Sequence, residues 1–556
     1  MREYFSKNKE SILRSSLTAI ICLTVLMVNV LAGRLKYALN DDYSFNFMAV
    51  GAYGSFGEYM VYISVIYGLL LKLLYAIVPS INWYLFMMLG LNLVSVHTLC
   101  ICVCRKLDIY KSAAVSLILN LILAKDFYAE ITFTTTASIL AIAGLCELVL
   151  CLYEFGRLRL IVGTLLIIFA GFIRIECYIM VLPVAALVTI YLIYKNRKIF
   201  RRMLIQIGIL LIPFLLNGIN SLAYQLNPYG RDVYKIESIG DDIIDHVEFT
   251  PEEMEIAHEK GFTDSEISLI QNYIIGDTGR YNYARLKDIK DALYASGAYS
   301  FQISPEFVSK ACFHICDRML QNIEILAVIW VFVILCAIIH GRRDELILLL
   351  GMNAYLVGMY YIFVCWNRVV WRVEAGIWLS IVALFICAIG LKASDLSVLS
   401  GIWTIIPAFL ILGIYIYNIP FNEVDLREGD SSEFYDVVHG RNDGKKYVTG
   451  VYALLSYDDT NIFAINGQYK DYLDKICIAG GWDAKTPSAF ARYAEFGVTN
   501  PIGELPYRDD LLYAGNEDEA ELLLWYFREV YDESIEYDEV EEFQNVKIYD
   551  YSVGNK

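Results

Sequence analysis

The sequence predicts a polytopic α-helical membrane protein that carries a smaller α/β domain at its C-terminal end. Three observations lead there. Of the 556 residues, 57% are hydrophobic, well above a soluble globular chain. Apolar runs of about 20 residues, enough to cross a hydrocarbon core, recur from Ser11 to Tyr417. The net charge of −17 is concentrated in the tail: from Asn418 onward there are 29 Asp/Glu against 12 Lys/Arg, so the apolar part is neutral overall.

Taken in order, the expected spans are 11–33, 83–104, 111–124, 132–152, 158–173, 177–194, 203–222, 323–340, 345–365, 374–391 and 397–418. The first follows a basic N-terminus, "MREYFSKNKESILR", and is read as an uncleaved span rather than a signal peptide. The segment 59–78, "YMVYISVIYGLLLKLLYAIV", decides the topology, because every later loop changes side if it crosses. Short loops rich in Lys and Arg stay cytoplasmic. With 59–78 lying along the outer interface, 17 basic residues fall inside and 7 in the short outer segments. The opposite choice puts "KNRKIFRR" (195–202), the densest basic cluster, outside. The expectation is therefore eleven spans in the cytoplasmic (plasma) membrane, N-terminus inside and C-terminus outside.

This divides the chain into a membrane module (1–222) with a first external loop (34–82), a large external loop (223–322), further membrane helices (323–418) and an extracytoplasmic α/β domain (419–556). The large loop contains "TPEEMEIAHEKGFTDSEISL", with Thr250-Pro251 and acidic residues marking a helix start. The tail mixes strand-like "NVKIYDYS" with helix-like "NEDEAELLLWYFREVY". The 13 cysteines lie mostly inside spans and read as small apolar residues; the acidic tail has only Cys477, so no disulfide framework supports it. No basic stripe for nucleic acid and no glycine pattern for a nucleotide is present.

Four polar clusters fall at the outer ends of spans: Asn40-Asp41-Asp42; Lys125, Asp126 and Glu130; Arg174 with Glu176; and Arg368, Arg372 and Glu374. Charges at membrane depth pair with one another or face a cavity. Arg174–Glu176 and Arg372–Glu374 read equally well as local ion pairs that hold turns. Four clusters on one face favour a shared polar cavity. Arg368 and Arg372, four apart, share a helix face, and arginine forks suit phosphate oxygens. Asp41-Asp42 taken alone is an acidic turn or helix cap. Consecutive residues point apart in a regular element, so one carboxylate is expected to act and the other to support it. No His/Cys spacing marks a metal site; a divalent cation on the outer carboxylates is left open.

A basic N-terminus, one span, and an external Asp-Asp pair followed by an amphipathic interfacial helix resemble the GT-C superfamily of membrane glycosyltransferases. The resemblance covers roughly residues 1–420 by architecture, with Asp41-Asp42 as its one recognisable motif. It implies a GT-C type helical fold and a bacterial enzyme. Such an enzyme takes a sugar from a polyprenyl-phosphate donor and places it on a cell-envelope glycan or lipid-linked acceptor outside the membrane. It also implies that Asp41, first of the pair, is the base and Asp42 its support. The roles of Arg174, Arg368 and Arg372 as phosphate ligands rest on chemistry alone, as do the supporting roles of Glu176, Glu374, Lys125, Asp126 and Glu130. Aromatic residues after the pair suit sugar stacking or anchoring at a membrane lipid interface. Competing readings are a transporter or flippase for a lipid-linked sugar, a polysaccharide polymerase using external-loop arginines, and a surface protein anchored by its helices.

The topology is open to test by labelling. A cysteine introduced near Gly481 should react with an impermeant reagent in intact cells. Labelling only after permeabilisation would put 59–78 across the membrane and separate Asp41 from the later clusters.

Overall fold

The computed structural model describes residues 2–38, 40–231, 235, 236, 239, 243, 247, 249–296, 304–320, 325–339, 343–366, 369–390, 432–450, 463, 470–544 and 546–554. Its first half is a series of helices: α1 (Arg2–Leu31), α2 (Asn40–Val50), α3 (Val65–Ile77), α4 (Trp83–Cys104), α5 (Ile109–Ala124), α6 (Phe133–Tyr153), α7 (Arg157–Ile173), α8 (Ile175–Lys195), α9 (Phe200–Leu210) and α10 (Ile212–Leu226). Helices Ile325–Ile339, Arg343–Cys365 and Trp371–Ile389 complete the bundle.

Among the described residues eight helices are long and apolar enough to cross a membrane: Glu10–Leu31, Trp83–Cys104, Ile109–Ala129, Phe133–Tyr153, Ile175–Lys195, Arg197–Leu226, Asp344–Cys365 and Trp371–Ile389. The chain is thus a mostly helical protein, and several of its helices have the length and apolarity that membrane insertion requires. Of the other expected spans, 158–173 forms a helix of 17 residues, and the described part of 323–340 is a helix of 15 residues. A third, 397–418, lies outside the described residues. The expected span 111–124 is longer than its apolar run, because a π-helical turn, Lys125–Ala129, extends α5.

Helix α3 covers only part of segment 59–78. Thirteen residues rise only about 20 Å, short of a hydrocarbon core of about 30 Å. Ser64 begins it, its hydroxyl accepting from the Ile66 N–H at 3.3 Å. The Ser64 N–H reaches the Phe172 carbonyl at 2.7 Å, and the Val65 N–H reaches Asn220 Oδ1 at 2.8 Å. One face packs Tyr67, Leu71 and Tyr75 inward, while Leu69, Leu73 and Ile77 form an exposed apolar stripe at four-residue spacing. That pattern suits a helix lying in an interface.

Helix α6 is the axis of the bundle. Every residue from Phe133 to Leu152 is buried, and α4, α7, α8 and Trp371–Ile389 all pack on it. Small residues permit that crowding. A Cβ on Gly144 would meet Ile167 Cγ2 at 2.7 Å, and one on Gly163 would meet the Gly144 carbonyl at 3.0 Å.

The two ends of the bundle differ in chemistry. At one end, cations cap helix C-termini, where carbonyls lack intrahelical partners. Arg14 donates to the carbonyls of Cys104, Arg105 and Leu107 at 3.3, 3.1 and 2.9 Å. Arg105 reaches the Cys387 carbonyl at 3.0 Å, and Arg202 the Leu152 carbonyl at 2.9 Å. At the other end, the π-turn brings β2 (Glu130–Ile131) parallel to β1 (Lys36–Tyr37) and ties the start of α2 to the start of α6.

Beyond that second end lies a mixed sheet of β3 (Lys446–Thr449), β4 (Ile476–Ile478), β5 (Leu511–Gly515), β6 (Ile535–Glu542) and β7 (Lys547–Val553), in the order β4-β3-β5-β7-β6. The first three strands are parallel, and β7 runs antiparallel to β5 and β6. The buried strands read as continuous apolar runs, whereas β6, at the edge, is acidic and largely exposed, which opposes edge-to-edge pairing. The segments on either side of the last membrane helices share one core: Ile267, Ile270 and Ile289 pack in a cluster with Tyr513, Leu523 and Phe527. At their seam, buried Asp277 accepts from Tyr526 Oη at 2.6 Å, Asn500 Nδ2 at 2.9 Å, and the N–H groups of Gly279 and Arg280 at 3.0 Å each, and also from Tyr531 Oη.

Asp277→Ala should strand these donors and lower stability by about 3 kcal/mol. A thermal midpoint equal to the parent's, by intrinsic fluorescence of the detergent-solubilised chain, would show that the seam does not depend on this carboxylate.

Candidate functional site

The acidic pair opens α2, where a helix N-terminus favours negative charge. Its position is set from both sides. The Lys36–Glu130 pair at 3.6 Å and the Ala38 N–H to the Ile131 carbonyl at 3.1 Å hold the approach. Asp42 is fully buried, and its Oδ1 accepts from Tyr84 Oη at 2.7 Å and from the Phe133 N–H, at the mouth of α6, at 2.9 Å. Its Oδ2 is buried with no hydrogen bond. Burial pushes the Asp42 carboxyl up to about 8; the hydrogen bond from Tyr84 opposes this, the charge of Asp41 adds to it, and the Phe133 N–H and Arg372 pull the other way. Asp41, a third of a turn away, is half-buried and accepts from Trp482 Nε1 at 3.1 Å.

Two of the three expected arginines converge on this place. Arg174 sits at the break between α7 and α8. Its Nη1 donates to Thr134 Oγ1 at 2.6 Å, and its guanidinium lies 4.9 Å from the centre of the Phe133 ring and 5.5 Å from that of Tyr62. Arg372 acts electrostatically on Asp42, and Cys177 feels both guanidinium groups. Close helix packing places Arg372: a Cβ on Gly376 would meet Ser138 Oγ at 2.8 Å, so Trp371–Ile389 runs tight against α6. One turn beyond that contact stand Arg372 and Thr134. Arg368 lies outside the described residues.

The supporting residues separate. Glu176 is exposed, 3.9 Å from Arg174 Nε. Glu374 is buried and accepts from Arg318 Nε at 3.0 Å and Tyr360 Oη at 2.7 Å, so its cationic partner comes from the helix Pro305–Leu320. Glu130 holds Lys36 in the β1–β2 pairing, while Lys125 is exposed and Asp126 half-buried on the π-turn. Through Glu130 that cluster supports the approach to the acidic pair.

The C-terminal domain contributes side chains that sequence reasoning missed. The Leu473 N–H bonds the Ala52 carbonyl at 2.6 Å and the Asp471 N–H bonds the Gly51 carbonyl at 2.9 Å, seating the domain on the end of α2. Trp482 then packs at a tilt against Phe45, ring centres 4.7 Å apart, and meets Tyr62 edge-on at 6.0 Å. Beside it Asp483 is buried. Burial pushes its carboxyl up to about 8, against the pull of the Ser44 hydroxyl and with the charge of Asp41 adding. Burial likewise pulls the Lys485 ammonium down to about 8, with Asp277 opposing. The only local signal was "GGWD" (480–483), a glycine turn before Trp-Asp, which says nothing of a partner over 400 residues away.

The site therefore joins a half-buried carboxylate, a buried one behind it, two guanidinium groups and a wall of aromatic rings. It can accept a proton at Asp41 and stabilise developing negative charge at the arginines. Among the described residues no group of three or more His, Cys, Asp or Glu is arranged to hold a metal ion. No family model, curated protein or solved structure matches this chain.

A pH dependence follows from the buried carboxyls. Asp42 and Asp483 keep protons in the folded state up to about pH 8, whereas the unfolded chain releases them near pH 4. Their stabilising protonation is fully present below pH 4 and is lost as pH rises through 8. Asp42→Asn is neutral throughout, so its thermal midpoint should fall less than the parent's between pH 5 and pH 8. Equal falls would place the Asp42 carboxyl in water.

Proposed function

We propose that this chain is an integral membrane glycosyltransferase. It transfers a sugar from a polyprenyl-phosphate donor to a cell-envelope glycan or lipid-linked acceptor at the outer face of the plasma membrane. The single observation that carries the reading is the convergence of Asp41, Asp42, Arg174 and Arg372 at one end of the helix bundle, beneath the C-terminal domain. The topology that goes with it has eleven spans of GT-C type, the basic end of the bundle in the cytoplasm and the C-terminal domain outside. Outside the cytoplasm nucleotide sugars are absent, so the donor must be tethered to lipid.

In this reading Asp41 takes the proton of the acceptor hydroxyl as its oxygen attacks the anomeric carbon. The bond from that carbon to the phosphate oxygen breaks, and the lipid phosphate leaves with the electron pair between Arg174 and Arg372. A single displacement inverts the anomeric configuration. Asp42, anchored by Tyr84 and the start of α6, fixes the turn that presents Asp41. A transporter, the alternative, gathers its charges near the middle of its helices, whereas the groups named here stand at helix ends.

Purified protein supplied with polyprenyl-phosphate sugars and envelope extract, read by mass analysis of glycosylated products, tests the activity. Asp41→Asn should reduce turnover by about 10²–10⁴-fold while leaving donor binding in place. Turnover within a few fold of the parent would remove Asp41 from the chemistry. Arg372→Ala should weaken donor binding more than Arg372→Lys, which keeps the charge but loses the fork; unchanged donor affinity would make Arg372 structural.

A further inference from the structure

A second feature lies at the other end of α2 from Asp41, about 15 Å along the helix axis. There a cavity of about 420 Å³ opens where four parts of the chain meet: the glycine-containing loop 54–59, α3, the segment after α10 and the C-terminal domain. Its lining includes Phe56, Glu58, Tyr59, Lys72, Tyr229 and Ser488.

The rings are held before any ligand arrives. Phe56 stacks on Tyr75 at 6.2 Å, Tyr59 meets Tyr224 edge-on at 5.2 Å, and Tyr229 stacks on Phe490 at 6.1 Å. The side chain of Asn227 fixes the turn that carries Tyr229, accepting from its N–H at 2.8 Å. Between the rings stand hydrogen-bonding groups: the Glu58–Lys72 pair at 2.8 Å, Ser488, and Lys470, whose ammonium lies 5.6 Å from the centre of the Phe56 ring. Ser488 and the loop approach closely, since a Cβ on Gly57 would meet its Oγ at 2.8 Å.

We infer that this cavity binds an oligosaccharide. Rigid aromatic walls with interspersed donors and acceptors match the alternating apolar faces and hydroxyl edges of sugar rings. A bare phosphate headgroup fits less well, because Glu58 neutralises Lys72 and leaves Lys470 as the one further ammonium among the lining residues. Resting on the glycosyltransferase reading, the cavity is the acceptor subsite, holding the glycan chain behind the hydroxyl that Asp41 activates. The C-terminal domain is required for it, because that domain supplies Lys470 and Ser488.

Saturation-transfer NMR on the full chain in detergent, with maltotetraose and tetragalacturonate as neutral and acidic probes, tests this. At least one probe should bind to the parent and to Asp41→Asn, with binding weakened tenfold or lost in Tyr229→Ala and in the cavity-filling Ser488→Trp. Absence of binding by both probes, or binding indifferent to both variants, overturns the inference. So does occupation by an added anionic lipid with no saccharide signal. Sugar transfer by the parent without tetrasaccharide binding would sink the subsite and spare the enzyme; binding without transfer would do the reverse.

Discussion

A carboxyl group without water governs the end of the molecule where the site lies. Asp42 reaches from the first turn of α2 to the first N–H of α6 and to the hydroxyl at the start of α4, so three helices share one side chain. A charged group there is opposed by desolvation, and a neutral one leaves an oxygen unpartnered; either state keeps the position costly and specific. Because α6 is buried from Phe133 to Leu152, anchoring α2 to its mouth fixes the acidic pair to a helix that packing restrains from all sides. Asp41 inherits that restraint while remaining partly open, which suits a group that must meet a substrate.

The same anchoring explains why the C-terminal domain belongs to the site. It bonds backbone to backbone with the far end of α2 and lays Trp482 over Asp41 and Phe45. The large loop after α10 is bound into that domain through a shared core and the Asp277 seam. Two segments separated by the last membrane helices thus form one body above the helix ends. A change in that body's seating would move Trp482 and reshape the cavity beside α3 together.

The opposite end of the bundle shows a different economy. Its arginines are absorbed by carbonyls at helix C-termini, where Arg14, Arg105 and Arg202 complete groups that have no intrahelical partner. The basic residues of those loops thus have a structural use. At the site's end Arg174 instead meets a hydroxyl, aromatic rings and a carboxylate.

Composition and periodicity alone determined the helical membrane character, the positions of most apolar helices, the α/β nature of the tail and the four polar clusters. These are local properties: an apolar run of sufficient length, or an alternation within a dozen residues, needs no distant partner to be read. The charge balance set an interfacial expectation for 59–78, but the length of α3 and its exposed Leu69–Leu73–Ile77 stripe emerged only with the structure. Tertiary structure decided which clusters meet. Glu374 turned to Arg318 and Glu130 to Lys36, while Arg174 and Arg372 came together because a glycine in one helix lets it approach α6. Trp482 and Asp483 entered from more than 400 positions away. Spacing along a chain carries no information about such meetings, which depend on the docking of whole elements and on the desolvation that docking brings.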